Sequence, residues 1–336
     1  MMFTTTAACL ALIAQPAAPT PPSAPTPPAH TRHILAADPW AGHIALLAPA
    51  TDGAGESAPG FEITWEHPIG AIHDLHVLDS GNILFQDSWT HILEVDPETG
   101  ETVWEYDAAR QNRRPADGPV EVHAFTRMPD GTTMIAESGP GRLIFVDAEG
   151  DIHHQFQFTL SRNDPHRDTR LVRPTPQGTF LAAHEGEGVV REYDREGNVV
   201  WEFAVPLFGK DRAGGHGFDA WGNAVFSAIR LDSGNTLIGT GNGHRVLEVS
   251  PEGEIVWQVM QDELPGIRLA WVTTLQVLES GNIVIGNCHA GPEQPQLVEI
   301  TKDKEVVWTF REFDRFDNAL SNAWVIEHAA GPRRAP

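Results

Sequence analysis

Short runs of alternating hydrophobic and polar residues recur along the chain, and tight polar turns join them. Three of these turns are nearly identical: Asp79–Leu84 (DSGNIL), Asp232–Leu237 (DSGNTL) and Glu279–Val284 (ESGNIV). Alternation with a period of two is typical of strands that have one buried face. A Ser-Gly-Asn step between such runs predicts a tight hairpin turn, because these residues tolerate the positive φ that the turn requires.

A second pattern follows the hairpins: a short strand, an acidic turn and a strand that carries a tryptophan. It stands at Val95–Trp104, Tyr193–Trp201, Val249–Trp257 and Ile300–Trp308, with weaker copies at Asp147–His154 and Phe61–Trp65. The copies end 39, 50, 47, 56 and 51 residues apart. A unit of this length with four short strands is typical of a propeller blade. We therefore predict an all-β fold, a six-bladed β-propeller of four-stranded blades.

The two ends of the repeat region complement each other. Before Trp65 only two strand-like runs stand, at about 33–37 and 43–48, so the first blade lacks an inner strand. After Trp308 a surplus strand follows at 322–328. We predict that this strand completes the first blade, which closes the ring and removes its open edge.

The N-terminal segment is predicted to lie outside the propeller. Residues 7–14 form a short apolar run that small residues follow, which resembles a signal peptide cleaved after Ala17 or Ala18. We assign 1–18 to that peptide, 19–30 to a Pro-rich linker and 31–336 to one propeller domain. These features predict export to the periplasm or the extracellular space. We expect no transmembrane segment.

Composition narrows the range of partners. With 23 basic and 46 acidic residues the net charge is −23, which disfavours binding to nucleic acid or to anionic lipid. Only Cys9 and Cys288 are present, and the first lies in the predicted leader, so we expect no internal disulfide. We expect a monomer whose partner is a small molecule, a glycan or another protein.

The connections between strands are unequal in length. If the strands of a blade are named a to d from the channel outward, the a–b and c–d turns are minimal and lie on one face. The d–a connections, at 107–121, 157–169, 204–223, 258–270 and 309–321, are long, as is a b–c loop at 286–296. Long loops on a rigid scaffold are where binding residues concentrate. We therefore expect the functional site on the long-loop face.

Several residues stand where strand a should begin on that face. Eight positions before the turn glycine come His73, His123 and Arg170 in three successive blades, then Phe226 and Thr273. As catalytic candidates we select His73, His123 and His216, and the catalytic role itself stays open. As ligand-binding candidates we select a second group of cationic, imidazole and indole side chains: Arg170, Trp221, Trp271, Trp324 and His289.

The chain lacks the familiar sequence motifs of catalytic, phosphate-binding and metal-binding sites. We find no nucleophile elbow, zinc-type His/Cys spacing, phosphate loop or EF-hand loop. We therefore predict no metal site. The sequence requires no cofactor, and the cofactor stays unknown.

The repeat resembles that of the quinoprotein-like (PQQ-like) propellers, which include non-catalytic periplasmic members, and that of arylsulfotransferase-like bacterial propellers. The resemblance rests on Gly-Asn-x-Leu and on Val-Asp-Pro-Glu-Thr-Gly-Glu-Thr-Val-Trp, and it covers most of 33–328. PQQ-dependent members resemble eight-bladed rings with a calcium site, which this chain does not match, so PQQ is not expected. The arylsulfotransferase pattern implies a catalytic histidine where this chain has Trp221.

Three functions remain open at this point. The first is an exported propeller that binds a small molecule, glycan or partner on its long-loop face. The second is a transferase or hydrolase acting on an anionic group, with His73, His123 or His216 as base or nucleophile and Arg170 holding the anion. The third is a non-catalytic envelope interaction scaffold. Convergence of these side chains on one pocket would favour the first two.

Overall fold

A computed structural model describes residues 32–51, 57–111 and 119–327. Within these ranges the chain forms 24 strands and one short helix, α1 (Ala108–Gln111). The strands make six sheets of four strands each, and every sheet is one blade. The predicted six-bladed propeller is confirmed. The predicted signal peptide, the linker and the C-terminal residues 328–336 lie outside the described residues.

Blade 1 joins the two ends of the described chain. From the channel outward its strands are β24 (Asn322–Ile326), β1 (His33–Asp38), β2 (His43–Thr51) and β3 (Ser57–Pro68). β24 pairs antiparallel with β1, so that Asn322 lies opposite Ala37 and Ile326 lies opposite His33. The surplus C-terminal strand therefore supplies the missing inner strand, as its sequence position predicts.

The other five blades each use four consecutive strands. Blade 2 contains β4 (Leu75–Val77), β5 (Ile83–Gln86), β6 (His91–Val95) and β7 (Thr102–Asp107). Blade 3 contains β8 (Glu121–Arg127), β9 (Thr133–Ser138), β10 (Arg142–Val146) and β11 (Ile152–Gln157). Blade 4 contains β12 (Val172–Pro174), β13 (Phe180–His184), β14 (Val189–Tyr193) and β15 (Val199–Ala204).

Blades 5 and 6 complete the ring. Blade 5 contains β16 (Ser227–Arg230), β17 (Thr236–Gly239), β18 (Val246–Val249) and β19 (Ile255–Val259). Blade 6 contains β20 (Trp271–Val277), β21 (Ile283–Cys288), β22 (Leu297–Ile300) and β23 (Val306–Phe310). The first strands of neighbouring blades adjoin one another, as β24 does with β4 and β16 with β20, so these strands surround the central channel.

The hydrophobic core is divided among the seams between blades. Leu35 and Ile44 of blade 1, for example, pack with Phe85 of blade 2 in one buried cluster. Every other seam has a similar cluster. Burying both faces of each sheet in this way removes apolar surface from water and holds the ring together.

At three seams the residue at the position of the recurring tryptophan makes a hydrogen bond to the next blade. Trp201 Nε1 in blade 4 donates to the carbonyl of Pro251 in the next blade at 2.9 Å, and Trp257 in blade 5 acts in the same way. In blade 3 this position is His154, whose Nε2 lies 2.7 Å from the carbonyl of Arg195. The histidine therefore replaces the indole in the same contact, and its role is structural.

A buried carboxylate on the third strand adds a polar link across the seam. Glu94 accepts hydrogen bonds from Asn82 Nδ2 and from Arg127 Nη2 of the next blade, both at 2.7 Å. The Arg127 guanidinium lies over the ring of Trp104, 5.2 Å from its centre. The asparagine of the Ser-Gly-Asn turn is thus more than a turn residue, because its side chain also satisfies a buried charge.

Candidate functional site

A cavity of about 300 Å³ opens at one end of the channel, on the face of the long loops. Its lining is rich in aromatic and imidazole side chains. These side chains come from strand starts, from b–c turns and from d–a loops: Trp40, His73, Trp89, His166, Arg170, His216, Phe226, Trp271, Thr273, Cys288, His289 and Ser321. The residues that sequence spacing assigned to a single register therefore meet at one place, with His123 just behind the wall.

The starts of the inner strands form one part of this lining. His73 lies two residues before β4, and its backbone N–H donates to Gln86 Oε1 at 3.0 Å. Arg170 and Phe226 precede β12 and β16 in the same way, and their backbone N–H groups donate to carbonyls of the neighbouring second strands. These short bonds fix the strand starts, so the side chains point reproducibly into the channel.

His123 occupies the same register position but reaches it through a β-bulge. Val122 pairs with Glu137 and Ala124 pairs with Ala136, so His123 is an extra residue without a partner on β9. A bulge turns its side chain away from the ordinary alternation. The imidazole is completely buried. It lies behind the cavity wall, with its ring centre 4.5 Å from that of His73.

Glu121 connects two of the histidines. One of its carboxylate oxygens lies 3.0 Å from His123 Nε2 and 2.9 Å from His166 Nδ1. Burial opposes ionisation of Glu121, but the hydrogen bonds with His123 and His166 outweigh burial and lower its pKa to about 2. Burial, together with the nearby Arg170 charge, lowers the pKa of His123 to about 4. The carboxylate is therefore charged and the imidazole neutral at neutral pH.

Arg170 stands at the floor of the cavity and is almost fully buried. Its Nε donates to the carboxylate of Glu185, and its Nη1 donates to His73 Nε2 at 3.0 Å. Arg167 donates to the other oxygen of Glu185 at 2.9 Å. Glu185, from the b–c turn of blade 4, therefore compensates the buried charge of Arg170. Burial and the Arg170 charge also hold the pKa of His73 well below its ordinary value.

The opposite wall is a stack of aromatic and imidazole rings. His216 lies 4.4 Å from Trp271 and 4.8 Å from His289, and His289 lies 5.1 Å from Trp40, all between ring centres. Burial lowers the pKa of His289 to about 4, with a further contribution from His216. His289 also has φ of 60°, a conformation that ordinary residues adopt rarely and that clusters at functional sites.

Two of the predicted ligand-binding residues lie elsewhere. Trp221 is buried in the loop before blade 5, where its Nε1 donates to the Leu207 carbonyl at 3.0 Å and Lys210 covers its ring. Trp324 lies on β24 and packs against the cluster between blades 1 and 2. Neither lines the cavity. For Trp221 the reason is that the long loop folds back on its own indole.

Three residues that shape the site are not among those predicted from the sequence: Trp40, Trp89 and Glu185. All three lie in b–c turns, between β1 and β2, β5 and β6, and β13 and β14. Short b–c turns lie on the same face as the long d–a loops, so an exposed tryptophan in such a turn was the available signal. Trp40 and Trp89 are 63% and 40% exposed, which is high for indoles.

Three histidines, two in the cavity wall and one just behind it, bring ring nitrogens close together. One ring nitrogen from each of His73, His123 and His166 lies within 4.8 Å of the other two. Imidazole nitrogens are common ligands of transition metals.

No helix in the described ranges has the length and apolar character to span a membrane.

The fold and this cavity together define a class: a six-bladed propeller with a ring-lined pocket at its channel mouth. The chain belongs to the PQQ_2 family, described as outer membrane protein assembly factor BamB, whose model matches residues 64–259. No curated protein is significantly similar to it.

Solved structures share the fold. A protein of unknown function from Bacteroides caccae is 22% identical, with a TM-score of 0.69 over 90% of this chain and 100% of that one. A catalytically inactive variant of virginiamycin B lyase from Staphylococcus aureus, solved with quinupristin, is 9% identical, with a TM-score of 0.52 over 85% and 87%. A streptogramin B lyase is 13% identical, with a TM-score of 0.53 over 89% and 91%. These similarities concern the fold alone.

Proposed function

We propose that this protein is an exported propeller that binds a small ring-bearing molecule with an anionic group in the channel-mouth cavity. The observation that carries the proposal is the pairing of a buried guanidinium, Arg170, with indole walls in a single cavity of about 300 Å³. That volume is at the lower end for small-molecule sites. A ligand of one or two rings fits it.

The aromatic walls favour a flat or sugar-like ring. Trp40 and Trp89 leave much of their apolar surface exposed, and Trp271 and Phe226 face the same space. Exposed indoles that gather around one concavity favour stacking with a ligand ring, because burying both faces removes apolar surface from water.

The charge at the floor favours an anion. Arg167 and Arg170 share the single carboxylate of Glu185, so these three side chains carry one net positive charge. The lining residues of the cavity include no carboxylate. In a chain with net charge −23, this positive floor is a local exception. A ligand carboxylate, sulfate or phosphate would compensate it.

The enzymatic hypothesis receives less support from the same geometry. His123 is completely buried, and Nε2 of His73 already accepts from Arg170. His216 lines the cavity and keeps a lowered pKa, chiefly through burial, so it is neutral at neutral pH and suited to act as a base. Binding requires none of this chemistry.

Thermal unfolding with a matched set of aryl ligands tests the proposal. The probes are 4-nitrophenyl sulfate, 4-nitrophenyl phosphate and the neutral 4-nitrophenyl glucoside. We expect the anionic probes to raise the midpoint and to quench tryptophan fluorescence, because a ligand that binds only the folded state stabilises it. The glucoside should have a smaller effect.

Two pairs of variants locate the site. Trp89→Ala should weaken binding at least tenfold, whereas Phe208→Ala, which removes a similarly exposed ring outside the cavity, should not. Arg170→Gln should abolish the preference for anions, whereas Arg167→Gln should only weaken it, because Arg167 contacts the same Glu185 from outside the lining. Equal effects within either pair, or no probe effect at all, would contradict the proposal.

A second candidate function is an envelope assembly scaffold, and the observation that favours it is the family match over residues 64–259. Export, which both functions require, is supported by the leader-like segment at 7–14. N-terminal sequencing of the mature protein tests export, and a chain that still starts at Met1 would contradict it. Loss of the gene should impair outer-membrane assembly only if the scaffold function holds.

A further inference from the structure

The histidines at the channel mouth form a compact donor group. His73 precedes β4, His123 lies on β8, and His166 belongs to the connection between blades 3 and 4. One ring nitrogen of each lies within 4.8 Å of the others. Glu121 adds a carboxylate oxygen in contact with two of the three rings.

The contacts of His123 are those of a metal ligand. Its Nδ1 lies 2.6 Å from the backbone carbonyl oxygen of Thr169, and its Nε2 lies 3.0 Å from the carboxylate of Glu121. Both partners are acceptors, whereas a neutral imidazole has a single proton to donate. If that proton goes to Thr169, Nε2 presents a lone pair to a carboxylate. A ring held through Nδ1–H by a carbonyl, with its Nε2 lone pair free, is the usual state of a metal-bound histidine.

His73 supplies an independent observation. Its Nε2 accepts from Arg170, but its Nδ1 is buried and has no hydrogen-bond partner in the described structure. Buried polar atoms nearly always have a partner, so an orphaned ring nitrogen beside two other imidazoles needs an explanation. While Nε2 accepts from Arg170, the ring proton is on Nδ1. If that contact opens and the proton moves to Nε2, Nδ1 presents a lone pair that a cation can bind.

We propose that His73, His123 and His166 bind a divalent transition-metal ion, with Glu121 as the fourth protein donor. Three imidazoles and a carboxylate best suit Zn²⁺, whose bonds to histidine nitrogen are about 2.0–2.1 Å. Tetrahedral ligands at that distance are about 3.3 Å apart. The ring nitrogens lie within 4.8 Å of one another, so they must approach by up to about 1.5 Å. His166 is half exposed and can make this movement.

The location makes such an ion accessible. His73 and His166 both line the cavity, so the ion would face the space in which we propose that the ligand binds. Arg170 remains anchored by Glu185 when its contact with His73 opens. The metal ion and the Arg170 guanidinium would then be two cationic groups that face one anionic group. The metal proposal itself does not depend on that ligand.

This proposal replaces the sequence-based prediction of no metal site. The three histidines come from separate segments, 50 and 43 residues apart along the chain. No local spacing reveals them, because zinc-type motifs are recognised by ligands a few residues apart.

Metal binding by untagged full-length protein tests the proposal. After treatment with a chelator, the protein is titrated with ZnCl₂ by calorimetry and with Co²⁺ by absorption. We expect one equivalent of Zn²⁺ and visible Co²⁺ bands of a low-coordinate nitrogen and oxygen site. His166→Ala should weaken Zn²⁺ binding at least tenfold. It should fold normally, because the side chain is half exposed.

His153→Ala is the matched control. His153 is also an exposed histidine in contact with a carboxylate, that of Asp147, but it lies on an outer strand away from the cavity. The control should bind one equivalent with unchanged affinity. The alternative is a doubly protonated His123 paired with Glu121, which needs no metal. Failure of the wild type to bind Zn²⁺, or equal affinities of the two variants, would overturn the proposal.

Repeating the aryl-ligand titrations with chelator and with Zn²⁺ separates the two proposals. Binding of the aryl anions in chelator without any uptake of Zn²⁺ would retain the proposed function and overturn the metal site. Uptake of Zn²⁺ without binding of any aryl probe would retain the metal site and contradict the proposed function.

Discussion

Two regions of the molecule use the same residue type in opposite ways. His184, at the end of the second strand of blade 4, and His123, at the channel mouth, are both completely buried. Each has Nδ1 against a backbone carbonyl oxygen, at 2.7 and 2.6 Å. They differ at Nε2, which lies 2.9 Å from the Tyr193 hydroxyl in the first case and 3.0 Å from the Glu121 carboxylate in the second.

The nature of the second partner decides what each histidine can do. A hydroxyl can donate, so neutral His184 gives its proton to the carbonyl and accepts one from Tyr193. An ionised carboxylate cannot donate, so neutral His123 leaves one contact without a proton. Burial is equal in the two places, and therefore burial alone does not distinguish a structural histidine from a ligand. The complete set of hydrogen-bond partners does.

Removing the closed network should cost the most stability. His184→Ala removes the close acceptor of the Tyr193 hydroxyl proton and the donor to a backbone carbonyl, and it creates a cavity. We expect the free energy of unfolding to fall by about 4 kcal/mol. Denaturant unfolding in the presence of a chelator measures this. His166→Ala, at the half-exposed edge of the other region, should leave the midpoint unchanged. A similar fall in the free energy of unfolding for both variants would contradict the proposed difference between the two regions.

Acid should reveal the closed network as well. Burial lowers the pKa of His184 to about 4 from an ordinary 6.5, so below 6.5 the unfolded chain takes up a proton that the folded chain does not. The free energy of unfolding should therefore fall as the pH decreases from 6.5 to 4 and should not change through this group above 6.5. The contribution of His184 is at most about 3 kcal/mol.

His184→Gln isolates this contribution, because glutamine preserves hydrogen bonding but does not titrate. The free energy of unfolding of each protein is measured at intervals between pH 7 and about 4. The difference between wild type and variant should become smaller as the pH falls. If the free energies of unfolding of the two proteins changed in parallel with pH, His184 would take up its proton as readily in the folded state as in the unfolded state, which would contradict the prediction.

At the channel mouth, replacing Glu121 with glutamine should give a small gain in stability. In Glu121→Gln the side-chain amide can donate to His123 Nε2, which makes His123 resemble His184. We expect the metal-free variant to be more stable by about 0.5 kcal/mol, while its affinity for Zn²⁺ falls at least tenfold. Glu121→Ala is the control, since it removes the charge without supplying a hydrogen-bond donor. Equal stability of the Gln and Ala variants would contradict this explanation.

The architecture could be predicted because it is repeated. Six copies of one strand-and-tryptophan pattern report the same local geometry independently, so single irregular copies such as His154 do not obscure the period. The shared blade followed from counting strands before Trp65 and after Trp308, and β24 pairs with β1 as that count requires.

The site could be predicted only in part. Register relative to the turn glycine brought together His73, His123 and Arg170, because equivalent positions in neighbouring blades point to the same channel. The same reasoning could not find Glu185, which reaches Arg170 from a b–c turn. It also assigned Trp221 to the site, since nothing in a loop sequence indicates that the chain folds back on its own indole.

The sequence by itself determined the blades, the closure of the ring and the face that carries the long loops, since each depends on periodicity and on local turn chemistry. Only the tertiary structure decided which polar atoms meet across the channel. His123, Glu121 and His166 come from different segments, and their hydrogen bonds depend on ångström-scale positions of strand starts and bulges. The periodicity of the sequence predicts which face of a strand a side chain occupies. Which polar atoms form hydrogen bonds depends on distances between segments, and no pattern along the chain contains those distances.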